Sequence, residues 1–156
     1  SRWIRRWPMA AAGVQMPPGV LVASCSLIKA DFTEAVLTGC NFGASDLTGA
    51  RLVKARLDGA NVSEAKLSGA DCRMASAKNA LFRRTDLRGS LLAGMNLQDA
   101  VLQHADLRRA DLRRSNLFGA DLTRVQLDGD VKLEGALLKR TRTWPRLTPA
   151  QQAVTP

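Results

Sequence analysis

The sequence has one histidine, no tyrosine, three cysteines, three tryptophans and four phenylalanines in 156 residues. A single histidine, His104, excludes a two-histidine metal site within one chain, and any Ser-His-Asp arrangement would have to be built around it. The cysteines, Cys25, Cys40 and Cys72, show no C-x-x-C spacing and have no neighbouring histidine. They read as small buried hydrophobes rather than metal or redox groups, and the lack of a disulfide framework fits a reducing cytosol. No apolar run approaches the length of a membrane span, and no secretory signal pattern is visible. Glycine-rich phosphate loops are missing as well, because the glycines do not follow a strand-loop-helix pattern. Acidic residues are the minority sign: 14 Asp and Glu stand against 23 Lys and Arg, a formal net charge of +9. These absences leave no catalytic residue, no cofactor site and no metal site, and the expectation is that the protein is not an enzyme.

What is present is a period of five. In HADLRRADLRRSNLFGADL, residues 104–122, Leu107, Leu112, Leu117 and Leu122 are evenly spaced and each follows Asp or Asn. On an α-helix, successive members of that series would lie about 140° apart and leave no apolar stripe. On a flat strand an odd spacing sends every second leucine to the wrong face. The spacing works if the chain turns a corner at each repeat, and four corners near 90° close a square. From Val22 to Leu127 there are 22 central positions, of which 15 are Leu, three are Phe and two are Val, with Cys72 and Ala77 as exceptions. Two places earlier, 13 of 22 residues are Ala, a second and smaller inward position. The residue just before the centre is Asp or Asn in 11 of 22 repeats. Side chains of this type bond nearby backbone groups and are expected to fix the bends.

The units ADFTE, ADLRR, SNLFG and ADLTR resemble the A(D/N)LXX unit of the pentapeptide repeat family, over residues 20–129. The resemblance implies an all-β fold, a right-handed quadrilateral β-helix with four repeats per coil and about five and a half coils for the 22 units. Residues 1–19 are expected to form a basic, tryptophan-bearing N-terminal cap, and 130–156 a C-terminal cap or tail. Four repeats per coil sort the chain into four faces, with the first centred on Val22, the second on Leu27, the third on Phe32 and the fourth on Leu37. Two residues after the centre, the second and fourth faces are rich in glycine, whereas the first and third carry residues such as Glu34, Lys54, Glu64 and Arg84. Type II turns, which need positive φ at their third residue, are therefore expected on the second and fourth faces and another turn type on the others. Cys72 and Ala77 leave less volume in the third coil, and Met95, one coil above Ala75, is expected to fill it.

The series slips by one residue between Leu127 and Leu133, where the coil is expected to loosen. Beyond it lie Trp144 and a Thr148-Pro149 helix start. Covering the open coil is the natural role of this tail, with dimerisation through that end as the alternative. At the other end Trp3 and Trp7, with Arg2, Arg5 and Arg6, read as a cap over the first coil rather than a membrane-attracted turn, because only seven residues precede Pro8. The chain opens on Ser1, which fits a processed or excised piece of a protein with flanking domains.

The net charge divides equally, +3 each, among residues 1–19, the repeats and residues 130–156. Within the repeats it concentrates late, at −1 for residues 20–72 and +5 for residues 73–124. Arg84, His104 and Arg124 form one column, Arg88 and Arg108 a second, and Arg109, Arg113 and Arg114 complete a candidate interaction patch. A scaffold that binds a protein partner through an acidic surface is the expected function. The family resemblance adds a bacterial, secretion-associated or effector setting, and the location expected is cytoplasmic, or delivered by a secretion system if the chain is part of a larger protein. Two alternatives stand beside it. One is a gyrase-binding, quinolone-resistance-like role, which the resemblance links to a DNA-like acidic rod and which the basic sign here opposes. The other is nucleic-acid binding through the arginine columns, weakened by the scarcity of outward aromatics.

Overall fold

The computed structural model describes residues 12–144, and they form a right-handed quadrilateral β-helix. Its architecture follows from where each backbone amide of a repeat finds an acceptor. The repeat centred on Leu67 is representative: Leu67 donates to Asp86 at 2.7 Å and Gly69 to Arg88 at 2.9 Å in the coil above, and Lys66 donates to Ser45 at 2.9 Å in the coil below. Ala70 donates back to the Leu67 carbonyl at 3.0 Å and closes the corner. Each repeat thus contributes only isolated parallel bridges, such as Asp46↔Lys66 and Lys66↔Asp86. Strands long enough to name appear once among the described residues, as β1 (Asp121–Thr123) paired in parallel with β2 (Arg142–Trp144). No helix among the described residues is long and apolar enough to cross a membrane.

The fifth amide, one residue after the centre, has no backbone partner. In all eleven repeats with Asp or Asn before the centre, that side chain accepts it, from Thr33 on Asp31 at 2.9 Å to Thr123 on Asp121 at 3.0 Å. The bend-fixing role expected of these residues is what the structure contains.

The expected division of turn types is not. From Ser24 to Arg124, the residue two after the centre has φ between 54° and 69° on every face, whether it is glycine, glutamate, lysine or arginine. The backbone is the same because every corner must close the same turn to keep the coils stacked. Side chains that disfavour the left-handed region are carried there by the ladder, at a local cost of about 1–2 kcal/mol each.

The interior is apolar and close-packed. Leucine, phenylalanine and valine centres are buried from Val22 to Leu122, and the alanine positions are at or near zero exposure. Met95 is 1% exposed and, together with Cys72 and Phe82, lines an enclosed cavity of ≈10 Å³. That is at the lower limit for one water, and Ala77 does not line it. The methionine therefore fills the third coil as the sequence suggests. Burial pushes the Cys72 thiol up to about 12 and raises that of Cys40. Cys25, nearer the end, is half-buried.

Pairing runs beyond 20–129 at both ends. Gln15 bridges Val36 and Met16 is buried at 5%, so residues from Gly13 onward already belong to the first coil. One residue is inserted before Leu21, since Gln15↔Val36 is offset by 21 and Leu21↔Asn41 by 20. The slip after Leu127 has the same form, with Asp106↔Gln126 followed by Asp111↔Lys132. Instead of loosening there, the coil is stitched by Asp128, whose carboxylate accepts the amides of Arg109 at 3.0 Å and Asp130 at 3.2 Å. The coil then resumes through Leu133 and Ala136 to β2. Trp144 occupies an outward ladder position at 65% exposure rather than folding across the open coil. Trp3, Trp7 and Thr148-Pro149 lie outside the described residues.

Two measurements of unfolding free energy by denaturant titration test this packing. Met95→Ala is expected to cost about 2–5 kcal/mol. Lys54→Gly, which relieves a left-handed lysine, is expected to stabilise by roughly 0.5–1 kcal/mol, whereas Gly59→Ala, at a site with open space around it, should cost about 1 kcal/mol through φ alone. No change in stability at either of the last two sites would contradict a uniform turn.

Candidate functional site

The outward positions follow from the repeat. A residue just before the centre and the residue just after it emerge on the same face, so Asp-x-Arg places a carboxylate beside a guanidinium. Four such pairs close as bidentate forks. Arg73 meets Asp71, Arg88 meets Asp86, Arg108 meets Asp106 and Arg113 meets Asp111, with Nε–Oδ1 distances of 2.8–2.9 Å and Nη2–Oδ2 distances of 2.6–2.7 Å. The same Oδ1 also receives the backbone amide of the arginine. The planar fork matches the carboxylate and holds each arginine along the face, leaving Nη1 outside the pair.

The hydrogen bond from its own arginine holds each of Asp71, Asp86, Asp106 and Asp111 below the usual carboxylate range, and raises the arginine in turn. Thr33 does the same for Asp31 and Thr48 for Asp46, through hydroxyl and amide together. At Asp121 desolvation opposes the shift, and the bonds from Thr123 and Gln103 outweigh it.

All eight residues of the expected patch are exposed, but the structure does not assemble them into one flat site. Arg84, His104 and Arg124 stand at one corner, Arg88, Arg108 and Arg109 on and after the second face, and Arg113 and Arg114 on and after the third. Arg88 reaches Asp106 of the next coil at 3.8 Å, so the second column is contiguous. Arg84 stands 3.8 Å from Glu64. His104, Arg109, Arg114 and Arg124 make no ion pair among the described residues. No group of three His, Cys, Asp or Glu able to hold a metal occurs among the described residues.

Sequence reasoning missed Arg73. The stretch from Ala70 to Ala80 stands out in the sequence for its thin interior, yet Asp71-Cys72-Arg73 has the same Asp-x-Arg spelling as the later forks. Arg73 lies on the third face, two coils below Arg113, and an open groove of ≈930 Å³ spans them, lined by Arg73, Met74, Ala93, Gly94, Arg113, Arg114 and Glu134.

A family model described as pentapeptide repeats (8 copies) matches residues 25–63, 55–94 and 96–129. No curated protein matches the chain significantly. Among solved structures, the pentapeptide repeat protein Rfr23 from the cyanobacterium Cyanothece 51142 is 26% identical, with a TM-score of 0.50 over 94% of this chain and 90% of its own. QnrB1, a plasmid-mediated fluoroquinolone resistance protein, is 14% identical with a TM-score of 0.55 over 91% of this chain and 95% of its own. A pentapeptide repeat protein from the thylakoid lumen of Arabidopsis thaliana is 31% identical over 77% of this chain and 72% of its own, at a TM-score of 0.37.

Because their carboxyls are held low, seven aspartates contribute stability that is fully present above the unfolded value of about 4 and is lost as pH falls through the folded values. Melting temperature is expected to be level from neutrality to about pH 5 and to fall steeply below about pH 4. A level profile through pH 3 would contradict the forks.

Proposed function

Since the chain belongs to the pentapeptide repeat family, we propose that it is a non-enzymatic scaffold whose basic later coils bind a protein partner through an acidic surface. The observation that carries this reading is the fork. Arg73, Arg88, Arg108 and Arg113 are pre-oriented by their own aspartates and keep Nη1 outside the pair, so little side-chain entropy remains to be lost when a partner carboxylate arrives. Around them Arg109, Arg114 and Arg124 supply positive charge without an ion pair among the described residues, and His104 stands exposed beside them. Long-range attraction of an acidic surface and short-range recognition by oriented guanidiniums then act together.

A bacterial cytoplasmic setting fits this reading, with delivery by a secretion system if the chain is part of a larger protein. The scaffold's ends offer a second interface, and a homodimer through a terminal coil is compatible with it. QnrB1 shares the fold, and fluoroquinolone resistance, the role of that protein, is the second reading. The excess of arginine over carboxylate on the later coils speaks against a phosphate-like surface, and equally leaves duplex nucleic acid as a third partner to be tested.

One set of measurements separates the three. Immobilised protein is expected to capture acidic proteins from a bacterial lysate, with elution by salt and loss of capture in Arg108→Glu/Arg113→Glu. Capture unchanged by the charge reversal would overturn the scaffold reading. Protection of gyrase supercoiling from a fluoroquinolone would move the reading to topoisomerase binding, and a salt-dependent shift of arbitrary duplex DNA would move it to nucleic acid.

A further inference from the structure

The third face carries two Asp-Arg forks two coils apart, with an uncharged step between them. Its column before the centres reads Asp71, Leu91, Asp111, its column after them reads Arg73, Ala93, Arg113, and the corner column reads Met74, Gly94, Arg114, with the bridges Asp71↔Leu91 and Leu91↔Asp111 fixing the register. The middle coil carries a leucine and an alanine in the places of the fork. Leu91 is 38% exposed and Met74 is 62% exposed. The Met74 thioether lies over Gly94, in the space that a Cβ there would occupy, and the glycine is what lets it do so. Met74, Ala93 and Gly94 form the apolar floor of the ≈930 Å³ groove, with a guanidinium at each end.

We propose that this groove is the docking site for an acidic amphipathic helix of a protein partner, lying along the solenoid axis with carboxylates on Arg73 and Arg113 and an apolar side chain between them over Met74 and Ala93. This inference rests on the scaffold reading and specifies its site. Two coil steps separate the guanidiniums by ~10 Å. Two turns of an α-helix cover about 10.8 Å, so side chains seven apart meet the two arginines, and one at three or four along falls midway. The match of pitch selects a helix rather than a strand. An extended chain rises ~3.3 Å per residue, so residues ~10 Å apart are three apart and point to opposite faces. The carboxylates of this face are Asp71 and Asp111, each held in the fork of its own arginine, and Glu134 at the upper rim; Arg73, Arg113 and Arg114, with Arg51 and Lys132 bridged to the two aspartates, outnumber them. Charge complementarity therefore favours an acidic occupant.

The test uses fluorescence anisotropy with a labelled helical peptide carrying Glu, Leu and Glu at i, i+3 and i+7, and an isomer of the same composition with the second Glu moved to the opposite helix face. The key variant is Leu91→Asp/Ala93→Arg. It restores the fork of the neighbouring coils, so it keeps the fold and the net charge while filling the groove. Met74→Glu, at an exposed position, is the second variant, and coincident melting curves verify that both are folded. The facial peptide is expected to bind in low salt, and the isomer and each variant to weaken binding at least about tenfold. No binding of the facial peptide, equal binding of the isomer, or unchanged binding by the folded double variant overturns the site. If the lysate capture is lost in Arg108→Glu/Arg113→Glu but the double variant still binds the peptide as wild type does, the groove fails while the scaffold stands. Capture indifferent to the charge reversal makes the scaffold itself fail.

Discussion

The structure depends on one amide. Stacking square coils at the inter-strand spacing gives four of the five N–H groups in each repeat a backbone carbonyl, three in adjacent coils and one across the corner. The amide just after the centre faces outward beside the bend and has none. A short side chain two residues earlier, with an oxygen on Cγ, reaches it without strain, and that is the geometry of an Asx turn. Where Asp or Asn stands there, it serves the backbone before it serves the surface. Lys78 shows a second way of meeting the same amide. Its repeat has Ser76 before the centre, and the Asp58 carboxylate of the coil below reaches across to take both the Lys78 amide at 2.9 Å and the Ser76 hydroxyl at 2.5 Å. At the C-terminal slip Asp128 does likewise for Arg109, replacing a carbonyl that the inserted residue has displaced.

The same aspartate has a second oxygen. Once Oδ1 is committed to the amide, Oδ2 projects along the face and completes a two-pronged acceptor whenever an arginine follows the centre. Each fork of the basic surface is therefore built on a group already fixed by folding, and arginine orientation follows at little added conformational cost. The consequence for electrostatics is that a column of arginines is not a column of bare charges. Arg88 and Arg108 sit one coil apart, and the Asp106 carboxylate lies between them, 2.6 Å from Arg108 and 3.8 Å from Arg88.

The period of five, the inward positions, the bend-fixing aspartates and the filling of the third coil by Met95 were all legible in the sequence, because each is enforced within one repeat or between adjacent coils at a fixed offset of twenty. The turn type was not, because glycine preference suggests where positive φ is cheap but stacking decides where it is compulsory, and Arg109 and Glu64 adopt it as fully as Gly49. The N-terminal start was hidden for a different reason. Met16 occupies a leucine position, yet Pro17, Pro18 and Gly19 replace the usual spelling around it, so the pairing of Gln15 with Val36 leaves no pentad to read. At the site, the sequence places the eight basic residues on the surface and sorts them onto three faces, while the part played by Arg73 emerges only from the forks.

A solenoid of this kind separates what it must keep from what it is free to vary. The interior tolerates Leu, Phe, Val and Ala in fixed places, and the outward residue after the centre contributes nothing to the ladder except its backbone. Exchanging Asp-x-Arg for Leu-x-Ala at residues 91–93 forgoes one amide acceptor and one fork, and leaves Leu92 and Met95 buried as before. Changes of that kind cost the fold little and alter the surface sharply, so positions where a column departs from its neighbours carry more information about binding than positions where it continues. Repetition explains the arginines that repeat. It does not explain an uncharged third-face step between two forks, with an exposed methionine laid over a glycine, and that exception is what a partner of this face would have to recognise.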